Sequence, residues 1–270
     1  LYGVEFMTSC GQLPENFRSQ CGTPTSAFQK NNEGYLVWVG QGNNPGMGIT
    51  HNLWNAILPA GQAPYGIQAA WGMPILIRDA SGAAENRPLG NALPDYRVGF
   101  SNTFQYRGLS VYGLLEGVFG RSVWNQAKHW SLLDFLAGDL DQGNKSVQDA
   151  KPIGYFWRRG PGGPGGSAGV GGFYDQLASP NNRMVEDASF VKLREVSASY
   201  GLGQIGGLGD WTVSVVGRNL KTWTEYSGFD PETGVGASTG SQAGSGLINA
   251  VDAFSFPQLR TFSFVLSTNF

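Results

Sequence analysis

RTFSFVLSTNF, the segment formed by residues 260–270, decides the fold of this chain. Its even-numbered positions are mostly large and apolar, whereas its odd-numbered positions are mostly small and polar. Side chains that alternate in this way lie on opposite sides of a β-strand, so the segment predicts a strand between two different environments. The even positions are Phe262, Phe264, Leu266, Thr268 and Phe270. A half-buried strand of a soluble protein would alternate similarly, so the other strands must decide.

Residues 96–107, YRVGFSNTFQYR, repeat the alternation. The apolar face consists of Tyr96, Val98, Phe100, Phe104 and Tyr106. The ten residue steps between the two tyrosines rise ~33 Å, and a strand tilt of ~40–45° reduces this to roughly 25 Å, the height of the apolar band between the aromatic girdles of an outer-membrane barrel. Bacterial outer-membrane barrels also end on an aromatic residue, as this chain does.

Two sets of site residues are predicted from this alternation. The lipid-facing and girdle set, whose last member would be a C-terminal assembly signal, is Tyr96, Tyr106, Phe262, Phe264, Leu266 and Phe270. The charged residues that could face the barrel lumen are Arg97, Arg107, Glu116 and Arg218. Such charges could contact a solute or could hydrogen-bond within the wall or to a plug, and the sequence leaves both interpretations open.

The composition agrees with a membrane environment and excludes several functions. Charged residues are 14% of the chain, well below the ~25% of soluble domains. No apolar run approaches the ~18–20 residues of a membrane helix, so any membrane crossing must be made by strands. A net charge of −2 provides no basic face, so we expect no nucleic-acid partner.

The remaining alternating segments give the strands a direction. Residues 109–120 return after a tight turn at Gly108, and a long excursion over 121–187 follows. Outer-membrane barrels have short periplasmic turns and long extracellular loops, so 96–107 should run towards the periplasm. The same rule assigns residues 188–201 and the terminal strand to the inward direction and residues 109–120 and 211–222 to the outward direction.

Less regular segments complete the secondary-structure prediction. Extended structure is predicted for residues 1–9, 33–40 and 65–78. Residues 122–136 predict a short helix in a long loop, because apolar residues recur there at helical spacing behind Ser122 as a possible N-cap. The glycine- and proline-rich segment 160–172 predicts a flexible loop.

Catalytic and metal-binding chemistry is not indicated by the residue pattern. Asp230 and Glu232 could pass for the carboxylate pair of a glycosidase, but only Pro231 separates them. The sequence contains no Ser-His-Asp or Cys-His constellation, so we predict that the chain is not an enzyme and uses no cofactor. The segment 139–144 resembles a calcium loop, but Ala150 stands where the bidentate glutamate should be, so a solvated turn is favoured and no metal is predicted.

The two cysteines, Cys10 and Cys21, are separated by a short polar stretch. In an oxidising envelope compartment, an even number of cysteines favours a local disulfide over two free thiols. A zinc site would need further ligands, and only His51 and His129 are available.

Four segments resemble the C-terminal part of the SusC/RagA-type TonB-linked outer-membrane transporters. They are residues 89–104, 185–200, 217–232 and 256–262, and their order and spacing are as in that family. The resemblance covers about residues 65–270 and implies an all-β fold, namely an antiparallel transmembrane β-barrel of 22 strands with long extracellular loops. This chain would be the C-terminal part of that barrel, with the N-terminal plug and the early strands absent from it.

The resemblance also implies a function, a location and partners. Transporters of this family lie in the bacterial outer membrane and import large nutrients such as glycans or peptides. They work with a SusD-like surface lipoprotein and receive energy from the TonB-ExbB-ExbD system through their N-terminal part. The implied partners of this chain are therefore that lipoprotein, that energy-transducing system and outer-membrane lipid.

Two other functions stay open from the sequence. The first is a soluble or surface β-rich glycan-binding or adhesion protein whose aromatic residues line a glycan groove. Trp124, Trp130 and Trp223 could stack on sugar rings, but packing within loops is favoured for them. The second is a small, non-transporting structural barrel of the outer membrane. If the chain is part of a larger barrel, we expect strand 258–270 to lack a closing partner within the chain and residues 1–9 to have an unmatched edge.

Overall fold

The chain divides into two units in the computed structural model. The first unit contains Leu1–Leu89 and Gln126–Val185, and the second contains Gly90–Asn125 and Glu186–Phe270. The structure describes residues 1–31, 33–42, 57–133, 136, 138, 141, 143–145, 181–207, 209–232, 250–254 and 256–269. The predicted loop 160–172 and the terminal Phe270 therefore lie outside the described residues.

Short elements make up the described part of the first unit. Its strands are β1 (Tyr2–Val4), β2 (Phe28–Lys30), β3 (Leu36–Trp38), β4 (Ile57–Leu58), β5 (Ala69–Ala70) and β6 (Asn86–Pro88). The antiparallel pairs are β1 with β6, β2 with β3, and β4 with β5. Its helices are α1 (Glu15–Arg18) and α2 (Gln126–Leu133), with 3-10 turns at Cys10–Gln12, Ala60–Gln62 and Pro64–Gly66. No helix in the described ranges has the length and apolar character needed to cross a membrane.

A buried apolar core holds the first unit together. Phe6, Met7 and Leu36 are completely buried. Met7 donates its backbone N–H to the carbonyl of Ile75 over 2.8 Å, and Leu36 donates to the carbonyl of Met7 over 2.7 Å. Three distant segments are thus joined by backbone hydrogen bonds in a region from which apolar side chains exclude water.

The second unit is built on a five-stranded antiparallel sheet. Its strands are β7 (Tyr96–Tyr106), β8 (Leu109–Phe119), β11 (Phe190–Gln204), β12 (Asp210–Thr224) and β14 (Thr261–Asn269), in the spatial order β14-β12-β11-β8-β7. The short strands β9 (Ser122–Asn125), β10 (Val185–Asp187) and β13 (Val251–Asp252) form a separate three-stranded sheet. Within the described residues, β14 pairs only with β12 and β7 only with β8, so each has one unpaired edge.

Tight turns connect the strands at one end of the five-stranded sheet. Arg107 and Gly108 alone join β7 to β8, and both have positive φ angles, 45° and 83°. Two positive φ angles are typical of the type I′ hairpin turn, whose twist matches that of the strands, and glycine adopts this conformation without steric penalty. We call this the turn end of the sheet and the opposite end, where β8 stops and β11 starts, the loop end.

The cross-strand register separates the side chains of this sheet into two faces. Phe100 lies opposite Leu115, and Leu115 lies opposite Leu193, so the three residues share a face. This apolar face carries the even-numbered residues of β7 and β14 and the odd-numbered residues of β8 and β12. The alternate residues form the polar face. The two faces follow the alternation that the sequence predicted for these strands.

A one-residue bulge changes the parity of β11. The register passes from Leu193 opposite Leu115 to Glu195 opposite Leu114, which leaves Arg194 as the extra residue. The apolar face consequently takes odd-numbered residues of β11 before the bulge and even-numbered residues from Val196 to Tyr200. A second register shift lies between Gly201 and Gly203. Because of the bulge, the apolar face stays continuous while the charges of Arg194 and Glu195 are kept away from it.

Three predictions about local structure are corrected by the described residues. Residues 1–9 form a strand only at β1, and their edges are matched, since β1 pairs with β6 and Val4 also bridges Asn181. Residues 65–78 form a strand only at β5 and otherwise make isolated bridges. The helix predicted over 122–136 starts at Gln126, because the backbone before it is taken up by β9, which pairs in parallel with β13.

Candidate functional site: a charged cluster on the polar face

Lys192 of β11 lies at the centre of a group of charged side chains at the loop end. Its side chain is only 3% exposed, and its Nζ lies 2.7 Å from Oδ1 of Asp230 and 2.8 Å from Oε2 of Glu232. An ammonium group buried this deeply needs counter-charges, because removal from water disfavours its charged form. The two carboxylates provide those charges.

Arg194, the bulged residue, extends the group in two directions. Its Nε lies 2.7 Å from Oε2 of Glu116 on the neighbouring strand. Its two terminal nitrogens contact both carboxylate oxygens of Glu232, at 2.6 Å and 2.8 Å. Paired contacts of this kind are stronger and more directional than a single ion pair. We call Lys192, Arg194, Glu116, Asp230 and Glu232 the charged cluster.

Backbone contacts show what the charged cluster holds in place. Asp230 accepts hydrogen bonds from the N–H of Glu232 over 3.0 Å and from the N–H of Gln258 over 3.3 Å. The buried side chain of Arg121 donates to the carbonyl of Pro231 over 2.8 Å. The cluster therefore fastens segment 230–232, and with it the segment that leads into β14, to the strands of the sheet.

A second contact, made by Tyr226, holds the segment between the end of β12 and residues 230–232. Tyr226 packs against Val123 and Ala188 and donates its hydroxyl to Oδ2 of the fully buried Asp252 over 2.8 Å. Burial raises the pKa of Tyr226 well above its ordinary value, and the hydrogen bond to Asp252 raises it further. The phenol thus stays protonated and acts as a permanent hydrogen-bond donor.

The ionisation of Glu232 decides what the charged cluster can do chemically. Burial raises the pKa of this carboxyl, but the hydrogen bonds from Arg194 and Lys192 outweigh burial and lower its pKa to about 2. A carboxylate that keeps its charge down to this pH is a poor proton donor, and both of its oxygens are already occupied by cations. The arrangement suits anchoring and not acid–base catalysis.

The structure places three of the four predicted lumen-facing charges on the polar face. Arg97 lies opposite Val118, and Glu116 belongs to the charged cluster. Arg218 is 60% exposed and pairs with Glu195 over 2.8 Å. Arg107 differs from the prediction, because it lies in the turn after β7 with its guanidinium 5.2 Å from the ring centroid of Tyr106, a residue of the apolar face.

The described residues of the predicted lipid-facing set lie together on the apolar face. Tyr96, Tyr106, Phe262, Phe264 and Leu266 are all exposed, and Phe264 reaches 80%. Tyr96 stacks on Phe119 of the neighbouring strand with a centroid distance of 5.0 Å. Trp223, which could have stacked on a sugar, also lies on this face, opposite Val191.

Cys10 and Cys21 form a disulfide in the first unit, with their Cα atoms 5.7 Å apart. The bond links the 3-10 turn at Cys10–Gln12 to the residue that follows α1 by three positions. Among the residues that the structure describes, no group of three or more His, Cys, Asp or Glu side chains is positioned to hold a metal ion. Asp139 and Ala150, at the two ends of the calcium-like segment, lie outside those residues.

The sequence interpretation missed the two cations of the charged cluster. The sequence pattern argues against Asp230 and Glu232 as a catalytic pair without giving them a cation, and it places Lys192 and Arg194 within a strand. The available signal was the KLRE run, residues 192–195, in which three charged residues interrupt an otherwise alternating strand. Three charges that must all avoid a lipid-like face indicate a bulge and nearby counter-charges.

These features define a class of structure: an all-β antiparallel sheet that is apolar and exposed on one side, polar on the other, and joined by short turns at one end. Comparison with curated proteins identifies proteins of similar sequence. The chain is 26% identical over 191 residues to TonB-dependent receptor P3 of Formosa agariphila, a match that covers 69% of this chain and 17% of that protein. TonB-dependent receptor P26 of the same organism is 28% identical over 192 residues, which is 67% of this chain and 18% of that protein.

The relationship to TonB-dependent receptors that was predicted from the sequence is thereby confirmed. The matched region spans less than a fifth of the length of these curated relatives. Comparison with models of known protein families finds no match. Among solved structures, the RagAB peptide importer in its 'open-open' state is similar over 100% of this chain and 22% of that chain, with 15% identity and a TM-score of 0.46. The RagAB peptide transporter gives a TM-score of 0.48 with 16% identity over 98% of this chain and 22% of that chain.

Proposed function

We propose that this chain forms part of the wall of a TonB-dependent transporter in the bacterial outer membrane, which imports large nutrients such as glycans or peptides. The observation that carries the proposal is the sorting of side chains by the register of the five-stranded sheet. Exposed aromatic and aliphatic residues share one face, while Arg97, Glu116 and Arg218 share the other. The similarity to TonB-dependent receptors supports energy transfer from TonB as the driving force for import.

The apolar face is the lipid-facing surface in this proposal. Large exposed apolar side chains on a continuous face are unfavourable in water but suit the hydrocarbon region of a bilayer. Aromatic residues stand near both ends of the face, with Tyr96 and Trp223 at the loop end and Tyr106 and Trp211 at the turn end. Aromatic side chains at both interfaces are typical of outer-membrane barrels.

The polar face lines the interior of the barrel, and the loop end is extracellular. The charged cluster is then an anchor that holds the extracellular connection after β12 against the inner wall near the mouth of the barrel. The contacts of segment 230–232 support this role. Lys192 and Arg194 of β11 hold its two carboxylates, and Arg121, just after β8, holds the carbonyl of Pro231.

The sheet is the C-terminal part of a larger barrel in this proposal. The edges of β7 and β14 have no partner among the described residues, and unpaired backbone groups are costly in a bilayer. Further strands would satisfy both edges, and the curated relatives are several times longer than the matched region. The TonB-ExbB-ExbD system would act through an N-terminal plug outside this chain, and a SusD-like surface lipoprotein would cover the extracellular mouth.

Substitutions on the two faces of β14 test the membrane assignment directly. Phe264 and Ser263 are neighbours on one strand but lie on opposite faces. Phe264→Arg should cost ~2–4 kcal/mol if the position is near the bilayer midplane and should lower the amount of folded protein in the outer membrane. Ser263→Arg is the matched control, because it adds the same charge beside the same backbone.

The measurement is the folded fraction of the full-length protein in purified outer membranes, judged by the heat-dependent mobility shift of folded barrels. Strong loss for Phe264→Arg with near-normal insertion for Ser263→Arg is the expected result. Equal tolerance of arginine at both positions would contradict the membrane assignment and would favour a soluble β-rich binding protein.

A further inference from the structure

The apolar face contains one charged residue among those the structure describes. The register places Lys221 of β12 opposite Leu193, and Leu193 opposite Leu115, so the lysine belongs to this face. Lys221 is exposed, and none of the described acidic residues forms an ion pair with it. Every other charge on the five strands lies on the polar face or in a turn, so this lysine is an exception that needs an explanation.

The position of Lys221 along β12 is close to the loop-end boundary of the apolar face. Trp211 and Trp223 lie on the same face near the two ends of the strand, and the twelve steps between them span roughly 40 Å, or about 30 Å along the membrane normal after a tilt of ~40–45°. Lys221 is two residues from Trp223, which is 49% exposed. At that tilt, two residues rise about 5 Å along the membrane normal.

A lysine side chain is long enough to reach that boundary. Its four methylene groups can lie along apolar surface while the ammonium group extends to the polar headgroup level beside Trp223. No carboxylate of the described residues neutralises it there, so an anion from the surroundings can serve as the counter-charge. At the headgroup level of a membrane, the available anion is the phosphate of a lipid.

We propose that Lys221, with Trp223 beside it, binds the phosphate of an anionic lipid headgroup at the loop-end surface of the sheet. The lysine supplies the charge, and the indole supplies an amphipathic ring that suits the interface. The inference deepens the proposed function and rests on its assignment of the apolar face to lipid. It adds a specific lipid contact in the leaflet that meets the loop end, which is the extracellular leaflet in that proposal.

The test measures lipid retention by the full-length protein in neutral detergent micelles. Native mass spectrometry counts bound phosphatidylglycerol, which carries one phosphate charge, and bound phosphatidylcholine, which is neutral overall. One lysine near an anionic surface corresponds to about a five-fold change in affinity, so Lys221→Gln should weaken phosphatidylglycerol binding by about that factor and leave phosphatidylcholine binding unchanged. Lys221→Arg should retain the preference, because it retains the charge.

Lys30→Gln is the matched control, since it removes an equal charge from an exposed lysine of the first unit. Equal phosphatidylglycerol binding by the wild type and Lys221→Gln would overturn the inference. Competition by inorganic phosphate at the same concentration as the lipid would overturn it too, because the site would then recognise free phosphate and not a lipid.

Reconstitution into vesicles separates this inference from the proposed function. If the wild type and Lys221→Gln both insert and only the preference for the anionic lipid is missing, the lysine site is refuted and the barrel assignment stands. If the wild type fails to insert into vesicles of either lipid, the proposed function itself is contradicted, and the lysine site with it.

Discussion

Replacement of Lys192 by methionine tests whether the charged cluster anchors the loop. Methionine preserves most of the side-chain length and removes the ammonium group that contacts Asp230 at 2.7 Å and Glu232 at 2.8 Å. Asp230, whose side chain is 8% exposed, then loses its contact with the ammonium group. Removal of one partner of a buried ion pair typically costs about 3–5 kcal/mol, because the remaining charge is neither solvated nor neutralised.

The exposed ion pair between Arg218 and Glu195, on the same polar face, serves as the comparison for Lys192. Arg218 is 60% exposed, and its contact to Glu195 has the same length of 2.8 Å as one contact of Lys192. Exposed ion pairs contribute about 0–1 kcal/mol, so Arg218→Gln should change stability little. The difference in burial therefore predicts that loss of the Lys192 pair lowers the free energy of unfolding by several kcal/mol more than loss of the Arg218 pair, although the two pairs have similar geometry.

The measurement is the free energy of unfolding of each variant in detergent micelles, combined with limited proteolysis to detect release of the loop. Lys192→Met should be much less stable than Arg218→Gln and should become sensitive to protease near residue 232. The double variant Lys192→Met/Asp230→Asn should recover part of the loss, because it removes the uncompensated charge. Equal stability of Lys192→Met and Arg218→Gln, or no recovery in the double variant, would refute the anchoring role.

Two further predictions concern pH and the disulfide. The pKa of Glu232 is about 2 in the folded protein and 4.5 ordinarily, so its interactions stabilise the fold fully above pH 4.5, and that contribution should be lost progressively as the pH falls to about 2; Glu232→Gln should remove this part of the pH dependence of unfolding, and identical profiles for the variant and wild type would contradict it. Cys10 and Cys21 should be found as one cross-linked peptide by mass spectrometry without reduction, and two alkylatable thiols would be the contrary result.

The long strands of the second unit could be predicted from the sequence because each has a simple period. In β7, every even-numbered residue from Tyr96 to Tyr106 except Asn102 is apolar or aromatic, and the structure ends the strand at Tyr106, one residue before the predicted limit of 107. The turn after it was equally readable, since Gly108 follows directly. In both cases the local pattern and the sheet pairing favour the same structure, so no tertiary information was needed.

The elements of the first unit could not be predicted in this way, because distant segments determine them. The sequence predicts a strand at Phe6, but the backbone N–H of Phe6 donates to the side chain of Asn182, 176 residues away. In the second unit, the sequence predicts Ser122 as a helix N-cap, but Trp124 and Asn125 pair with β13 instead. Strand pairing between segments that are far apart in the chain leaves no periodic signal in either segment.

Because of the bulge at Arg194, strict alternation of side chains along β11 does not predict the charged cluster. Without the extra residue, Glu195 would fall on the same side as Leu193 and Val191, and every apolar residue from Val196 onwards would turn to the polar face. From Phe190 to Tyr200, the sequence of β11 is compatible with a lipid-facing surface only if its parity changes between Leu193 and Glu195, where the register shifts. A second register shift against β12 follows between Gly201 and Gly203. Both neighbouring strands shift register at this point, so the same residue that corrects the apolar face also directs its guanidinium to Glu116 and Glu232. The continuity of the apolar face and the anchoring of the loop thus depend on one inserted position, and deletion of Arg194 should impair the anchor even where the strand itself still pairs.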